Sequence, residues 1–187
     1  MGVWLLVGVP GAGKTTLLQN LKDSGVARSL ALGDFLQDAT GAPTRKTMRE
    51  DRGLLVTDNA LRSAQDELLI AINSSLHDPL VVEWHFSSLK KYGIRSMATR
   101  PQLMNQVNWQ GVVVLSARPN VLLRRLKTGP DRPNRYSPDD IRSLSSVELA
   151  AAAAFSTAVS APMFLVDCEI SPQDLHDRVA WLLQETR

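Results

Sequence analysis

The sequence predicts an α/β domain in which five parallel strands carry helices on both faces. Three observations lead there. Short apolar runs alternate with amphipathic stretches along the chain. The runs are continuous rather than alternating, as strands covered on both faces are. The first run leads through a glycine-rich turn directly into a helix. At 187 residues, 44% of them hydrophobic, the chain has the length of one domain and enough apolar material to bury a core.

Taken in order, Val3–Val7 is the first strand. Thr16 to about Lys22 is the first helix, closed near Gly25. Arg28–Leu32 is a second strand that ends at Gly33-Asp34. A helix opens over Phe35–Asp38 and is interrupted by Gly41-Ala42-Pro43. Thr57 or Asp58 caps a long helix to about Leu76, because Leu61, Ala64, Leu68 and Ile72 share one face. Leu80–Trp84 is the third strand, opened by Pro79, and its end delivers Glu83, His85 and Ser87 into a loop. One helix falls near Gln102–Val107. Val112–Leu115 is the fourth strand. Pro119 suits the first position of the next helix, whose inward face is Leu122, Leu123 and Leu126. Lys127–Pro138 is a short loop dense in Gly, Pro, Asp, Asn and Arg. Ser137 caps a helix with an acidic first turn that runs through Ala150–Ala154, a block that reads as a close-packing face. Met163–Val166 is the fifth strand, and Ser171-Pro172 opens the last helix.

The turn after the first strand is Gly8-Val9-Pro10-Gly11-Ala12-Gly13-Lys14-Thr15-Thr16. Two glycines bracketing four residues, then Lys and Thr, make the pattern of a phosphate-binding loop, and the strand before and helix after are the context it requires. Glycines let backbone N–H groups crowd around phosphate oxygens, and the helix N-terminus adds partial positive charge. The expected ATP-binding set is Gly8, Pro10, Gly11, Ala12, Gly13, Lys14, Thr15 and Thr16. Lys14 reaches the β- and γ-phosphates, and the Thr15 hydroxyl takes one magnesium position.

Bulk composition narrows the classes. Lys plus Arg number 21 against 19 Asp plus Glu, a net charge of +2, which argues against a nucleic-acid partner or a polybasic membrane binder. The clusters at Arg45–Arg52 and Lys90–Arg100 keep the first of these open. The single cysteine, Cys168, excludes an intrachain disulfide and reads as a small buried hydrophobe. His77, His85 and His176 lack metal-ligand spacing. No run approaches the ~20 residues of a membrane span. The start of the chain lacks the basic region of a signal peptide, and a loop beginning at residue 8 leaves no room for a leader, so a cytoplasmic protein is expected.

Two further stretches point to a reaction. One is Leu32-Gly33-Asp34-Phe35-Leu36, followed by Gly53-Leu54-Leu55-Val56-Thr57-Asp58. The other is Leu122-Leu123-Arg124-Arg125-Leu126, followed by Asp131-Arg132-Pro133-Asn134-Arg135. In their order and spacing they resemble the monophosphate-binding segment and the lid of the adenylate kinase family. The short lid and Glu83-Trp84-His85 are similar to the archaeal-type members. The resemblance covers residue 3 to about 170. It implies a P-loop NTPase fold and the reaction ATP + AMP = 2 ADP, with ATP and Mg²⁺ as cofactors. It also implies an acceptor-binding segment at about 33–76, a lid at about 127–138, small nucleotides as substrates, and a monomer or homo-oligomer, a trimer being permitted. Three departures stand against it. Glu83 occupies a position where Asp is usual, Trp84 is bulky, and the Asp-Gly-Phe-Pro-Arg segment of the long-lid form is absent.

Phosphoryl transfer needs positioning and charge neutralisation above all. The expected catalytic cations are Lys14, Arg125, Arg132 and Arg135, the last three closing over the transferred phosphate. Gly33, Asp34, Arg49, Glu83 and His85 are the expected acceptor-side residues. Arg49 would grip an acceptor phosphate, with Arg95 and Arg100 as substitutes, and Glu83 would orient magnesium-bound water. Plainer roles compete. Arg124 and Arg125 cannot both face the site, Arg132 and Arg135 suit an ordinary turn, and Arg45–Arg52 suits a solvated face. Asp34 suits an N-cap and His85 a structural histidine. Asp34 also suits a base for a hydroxyl acceptor. A small-molecule hydroxyl kinase, a nucleic-acid 5′-end kinase and an ATP-binding switch or assembly factor therefore stand as alternatives.

Overall fold

The computed structural model describes residues 2–44, 56–76, 79–90, 92–128 and 136–185. In chain order the elements are β1 (Val3–Val7), α1 (Lys14–Asp23), β2 (Arg28–Ala31), α2 (Leu32–Thr40), α3 (Asp58–Asn73), β3 (Leu80–Glu83) and β4 (Ser87–Lys90). They continue with β5 (Gly93–Ser96), α4 (Pro101–Gln106), β6 (Trp109–Ser116), α5 (Pro119–Thr128), α6 (Pro138–Ala158), β7 (Met163–Asp167) and α7 (Pro172–Glu185). Five strands form one sheet in the order β2-β3-β1-β6-β7, every neighbouring pair parallel. The predicted fold class is the observed one.

The continuous apolar runs are explained by the two cores. Every residue of β1 is buried. Trp4 and Leu6 point to one face, packed by Leu17 and Leu21 of α1, Leu122 and Leu126 of α5, and Val179 and Leu183 of α7. Val3, Leu5 and Val7 point to the other, packed by Leu61, Leu68 and Ile72 of α3. Helix α6 serves both. Ile141 and Leu144 belong to the first core, Ala152 and Phe155 to the second. Of the alanine block only Ala152 is buried, with Ala151 packed beside it, while Ala150 and Ala154 are exposed, so the block packs along one edge and not as a whole.

Element boundaries shift for local reasons. α1 begins at Lys14 because Gly13 is its N-cap, at φ 92. Leu32 opens α2 rather than ending β2, and α2 runs on to Thr40, stopped by Gly41 at φ 64. Thr57 caps α3, its hydroxyl accepting from the Ala60 amide at 3.1 Å, and α3 ends at Asn73, short of Leu76. Ser137 forms a capping box with Asp140, and the Ser171 hydroxyl accepts from the Asp174 amide at 3.1 Å. The one unforeseen element is the antiparallel hairpin β4–β5, where the sequence predicts a loop. Among the described residues no helix is long and apolar enough to cross a membrane.

Candidate active site at the carboxyl ends of the strands

In parallel sheets ligands bind beyond the carboxyl ends of the strands, where the strand order reverses. Here β1 sits between β3 and β6, and the phosphate-loop sequence leaves its carboxyl end. Gly8, Gly11 and Gly13 all have positive φ. The first turn of α1 has no acidic residue and no side-chain cap, so its amides face the loop uncompensated. Lys14 is buried, 5% exposed, and its Nζ donates to the Gly8 carbonyl at 2.5 Å. Glu83 Oε1 stands 4.0 Å from Lys14 Nζ and 4.0 Å from His85 Nε2. The register explains the meeting: Glu83 ends β3 directly opposite Leu6 of β1 and Ala31 of β2.

Thr15 and Thr16 are exposed, whereas Ala12 is buried under the loop. The Thr15 hydroxyl, next to Lys14 in the chain, is of the type that would take one coordination position of a phosphate-bound magnesium ion. Among the described residues no cluster of three His, Cys, Asp or Glu can hold a metal by itself, so phosphate oxygens and water would complete its shell. Gly33 and Asp34 lie in the first turn of α2, just past the end of β2, on the same edge as Glu83.

The arginines divide. Arg49, Arg132 and Arg135 lie outside the described residues, as does most of the predicted lid. Arg125 Nη2 donates to the Cys168 carbonyl at 2.7 Å and so braces the chain after β7. Arg118 adds a forked pair to Glu169 in the same segment, at 2.8 and 2.5 Å to Oε2. Cys168 is 1% exposed. Burial pushes its thiol up, against the pull of Arg125, so it is no reactive thiolate. Arg95 bonds Val56 O at 2.8 Å and pairs with Asp58, and Arg100 pairs with Asp66 at 2.7 Å. Both belong to a cleft of about 530 Å³ between α3 and the chain leading from β5 to α4, lined also by Arg62 and Gln65.

Two polar residues in this region went unseen in the sequence. Gln65 is 1% exposed, donates to Ala98 O at 2.9 Å and accepts from the Arg100 amide at 2.7 Å. Glu148 is 2% exposed and accepts from the Phe86 amide at 3.1 and 3.2 Å and from Ser87 Oγ at 2.7 Å. Burial raises its carboxyl above the usual range, while Ser87, Phe86, the Lys14 charge and the Gly8 backbone pull it down. Both follow the helical spacing of buried positions: Leu61, Gln65, Leu68, Ile72 in α3, and Ile141, Leu144, Glu148, Ala152, Phe155 in α6. A polar residue on that spacing was the available signal.

A protein-family model described as an AAA domain matches residues 5–144. No curated protein matches the chain. Among solved structures, shikimate kinase from Acinetobacter baumannii in complex with shikimate superposes with a TM-score of 0.61 at 19% identity, over 100% of this chain and 94% of that one. Shikimate kinase from Aquifex aeolicus gives 0.61 at 16% identity, over 99% and 96%. The Bacteroides thetaiotaomicron enzyme gives 0.59 at 18% identity, over 97% and 98%. At these identities the likeness is one of fold, a P-loop kinase fold along the whole chain. It does not single out the adenylate kinases that the sequence resembles.

Proposed function

The chain belongs to the AAA-domain family, and on that premise we propose that it is an ATP-dependent phosphotransferase whose acceptor is a hydroxyl group on a small molecule. The observation that carries this reading is the buried Lys14–Glu83 pair at the mouth of the phosphate loop, with the exposed carboxylate of Asp34 on the same strand edge. A monophosphate acceptor needs a cation and no base. A hydroxyl acceptor needs a base. Two of the three arginines expected to grip an acceptor phosphate, Arg95 and Arg100, are already paired with carboxylates. The three solved structures described above are shikimate kinases, and the acceptor bound in one of them is shikimate.

In this mechanism the loop amides and Lys14 hold the β- and γ-phosphates. The acceptor oxygen attacks the γ-phosphorus, the bond to ADP breaks, and the hydroxyl proton passes to Asp34. Magnesium, held through Thr15 and through water on Glu83, would offset the phosphate charge. Helix α1 directs its N-terminus at the developing charge without reorganising. The part of an anionic acceptor distant from the reacting hydroxyl would rest in the cleft lined by Arg62 and Gln65, whose cation favours it.

The test is ADP formation from ATP·Mg against a panel of hydroxy acids and sugars, the four common nucleoside monophosphates, and no acceptor. Hydroxyl-dependent turnover supports the proposal. Fast turnover on AMP alone would return the assignment to an adenylate kinase. Slow hydrolysis indifferent to every acceptor would point to an ATP-binding switch.

A further inference from the structure

Helix α7 buries Leu175, Val179, Ala180, Leu182 and Leu183 in the core it shares with α1 and α5. Its outward side carries Trp181, 59% exposed. A single exposed tryptophan needs no explanation by itself. The side chains around it do. Asp177, Arg178, Gln184 and Glu185 are all exposed. At about 100° per residue, Arg178 and Glu185 fall on one flank of Trp181, and Asp177 and Gln184 fall on the other. Arg178 precedes the indole by about 4.5 Å along the helix axis, and Glu185 follows it by about 6 Å. Opposite charges seven residues apart are too distant to pair within one helix. Arg178 and Glu185 have no ion pair among the described residues.

This face is complementary to itself. A two-fold axis laid across α7 at Trp181 reverses the helix direction and keeps each flank. Arg178 then comes within about 1.5 Å of the axial level of Glu185 of the second copy, and the same pair repeats on the other side of the axis. On the opposite flank Asp177 meets the side-chain amide of Gln184, an acceptor against a donor. No like charges oppose. A parallel pairing would instead set Arg178 against Asp177, whose carboxylate is already bonded to Gln173 and His176. We propose that the outward face of α7 is the interface of a homodimer in which two α7 helices cross antiparallel, Trp181 on Trp181, flanked by two Arg178–Glu185 pairs between copies. Such an interface is isologous, the commonest kind in homo-oligomers, with tryptophan at its centre, where binding energy concentrates. A helix of 14 residues is about 21 Å long and covers less than the ~800 Å² per partner of a standard interface, so the dimer is a weak one. The inference does not depend on the reaction the protein performs.

Sedimentation velocity from about 10 μM to 1 mM, the range of weak association, tests it on the wild-type protein, Arg178→Glu, Glu185→Arg, an equal mixture of those two variants, and Trp181→Ala. All three positions are solvated, and circular dichroism checks that each variant is folded. The wild type should dimerise with rising concentration. Each charge reversal sets like charges opposite at both pairs and should raise the dissociation constant at least ~10-fold. In the mixture one copy is acidic at both positions and the other basic at both, so both pairs re-form and the dimer should return. Trp181→Ala should weaken it by at least ~10-fold. A wild-type protein that stays monomeric through this range would overturn the inference. So would an oligomer indifferent to both charge reversals, and so would a mixture no more dimeric than its components, since the antiparallel register requires that rescue.

Discussion

Gly11 and Gly13 provide a paired measurement of how tightly the phosphate loop is wedged against α5. Both have left-handed backbone, φ 88 and φ 92. An alanine at either position pays the same conformational penalty, about 1–2 kcal/mol. Their surroundings differ. A Cβ at Gly13 meets nothing within 4 Å, whereas one at Gly11 lies 3.0 Å from the Leu122 carbonyl oxygen and 3.2 Å from Leu126 Cγ. Leu126 can turn aside, but the Leu122 carbonyl is helix backbone and moves only with α5. Overpacking of that kind adds about 1–3 kcal/mol. For a chain of this length each kcal/mol lowers the melting temperature by about 2–4 °C. Gly13→Ala should therefore melt roughly 5 °C below wild type and Gly11→Ala roughly 10 °C below. Thermal unfolding followed by circular dichroism reads both. Equal losses, or a larger loss at Gly13, would refute the claim that α5 buttresses the loop.

Lys14→Ala should cut phosphoryl transfer by about 10²–10³-fold, as loss of a charge-stabilising donor does, with the circular dichroism spectrum unchanged; near-normal turnover would sink the assignment. Asp34→Asn should lower kcat on a hydroxyl acceptor by about 10²–10⁴-fold with little change in KM for ATP. An unaltered rate would leave Asp34 as part of the α2 start alone. Gln65→Ala strands the Ala98 carbonyl and the Arg100 amide, so urea unfolding should show a loss of about 1–3 kcal/mol. KM should rise for the acceptor and not for ATP, and equal rises would place the acceptor elsewhere.

The parts legible in the sequence were those written locally. The strand, loop and first helix follow from contiguous residues, and β1, β3 and the Val112–Leu115 body of β6 read as continuous apolar runs because both of their faces are covered. The β4–β5 hairpin has no such run: Ser87-Ser88-Leu89-Lys90 and Gly93-Ile94-Arg95-Ser96 carry one large apolar residue each, so nothing marked them as strands. The pairing of Arg95 with Asp58 and of Arg100 with Asp66 joins segments more than thirty residues apart. Spacing along the chain cannot show that those arginines are engaged. The expectation of a monophosphate acceptor leaned on order and spacing of segments that several kinases share. The cleft proposed for the acceptor is assembled from α3 and the chain beyond the hairpin, residues far apart in sequence. Glu148 and Gln65 were hidden differently, as polar residues on otherwise apolar helical faces.

The protein carries four tryptophans, and three of them, Trp4, Trp84 and Trp109, are buried, while Trp181 is 59% exposed. Trp84 stands between Glu83 and His85, 1% exposed, with an indole N–H that has no hydrogen-bond partner among the described residues. An indole in that setting emits at short wavelength and responds to nearby charge. Iodide in solution quenches Trp181 and leaves the buried indoles bright. With Trp4, Trp109 and Trp181 replaced by phenylalanine, ultraviolet emission comes from Trp84 alone and becomes a reagentless readout of events at the end of β3, which a stopped-flow test of nucleotide binding can use without a label.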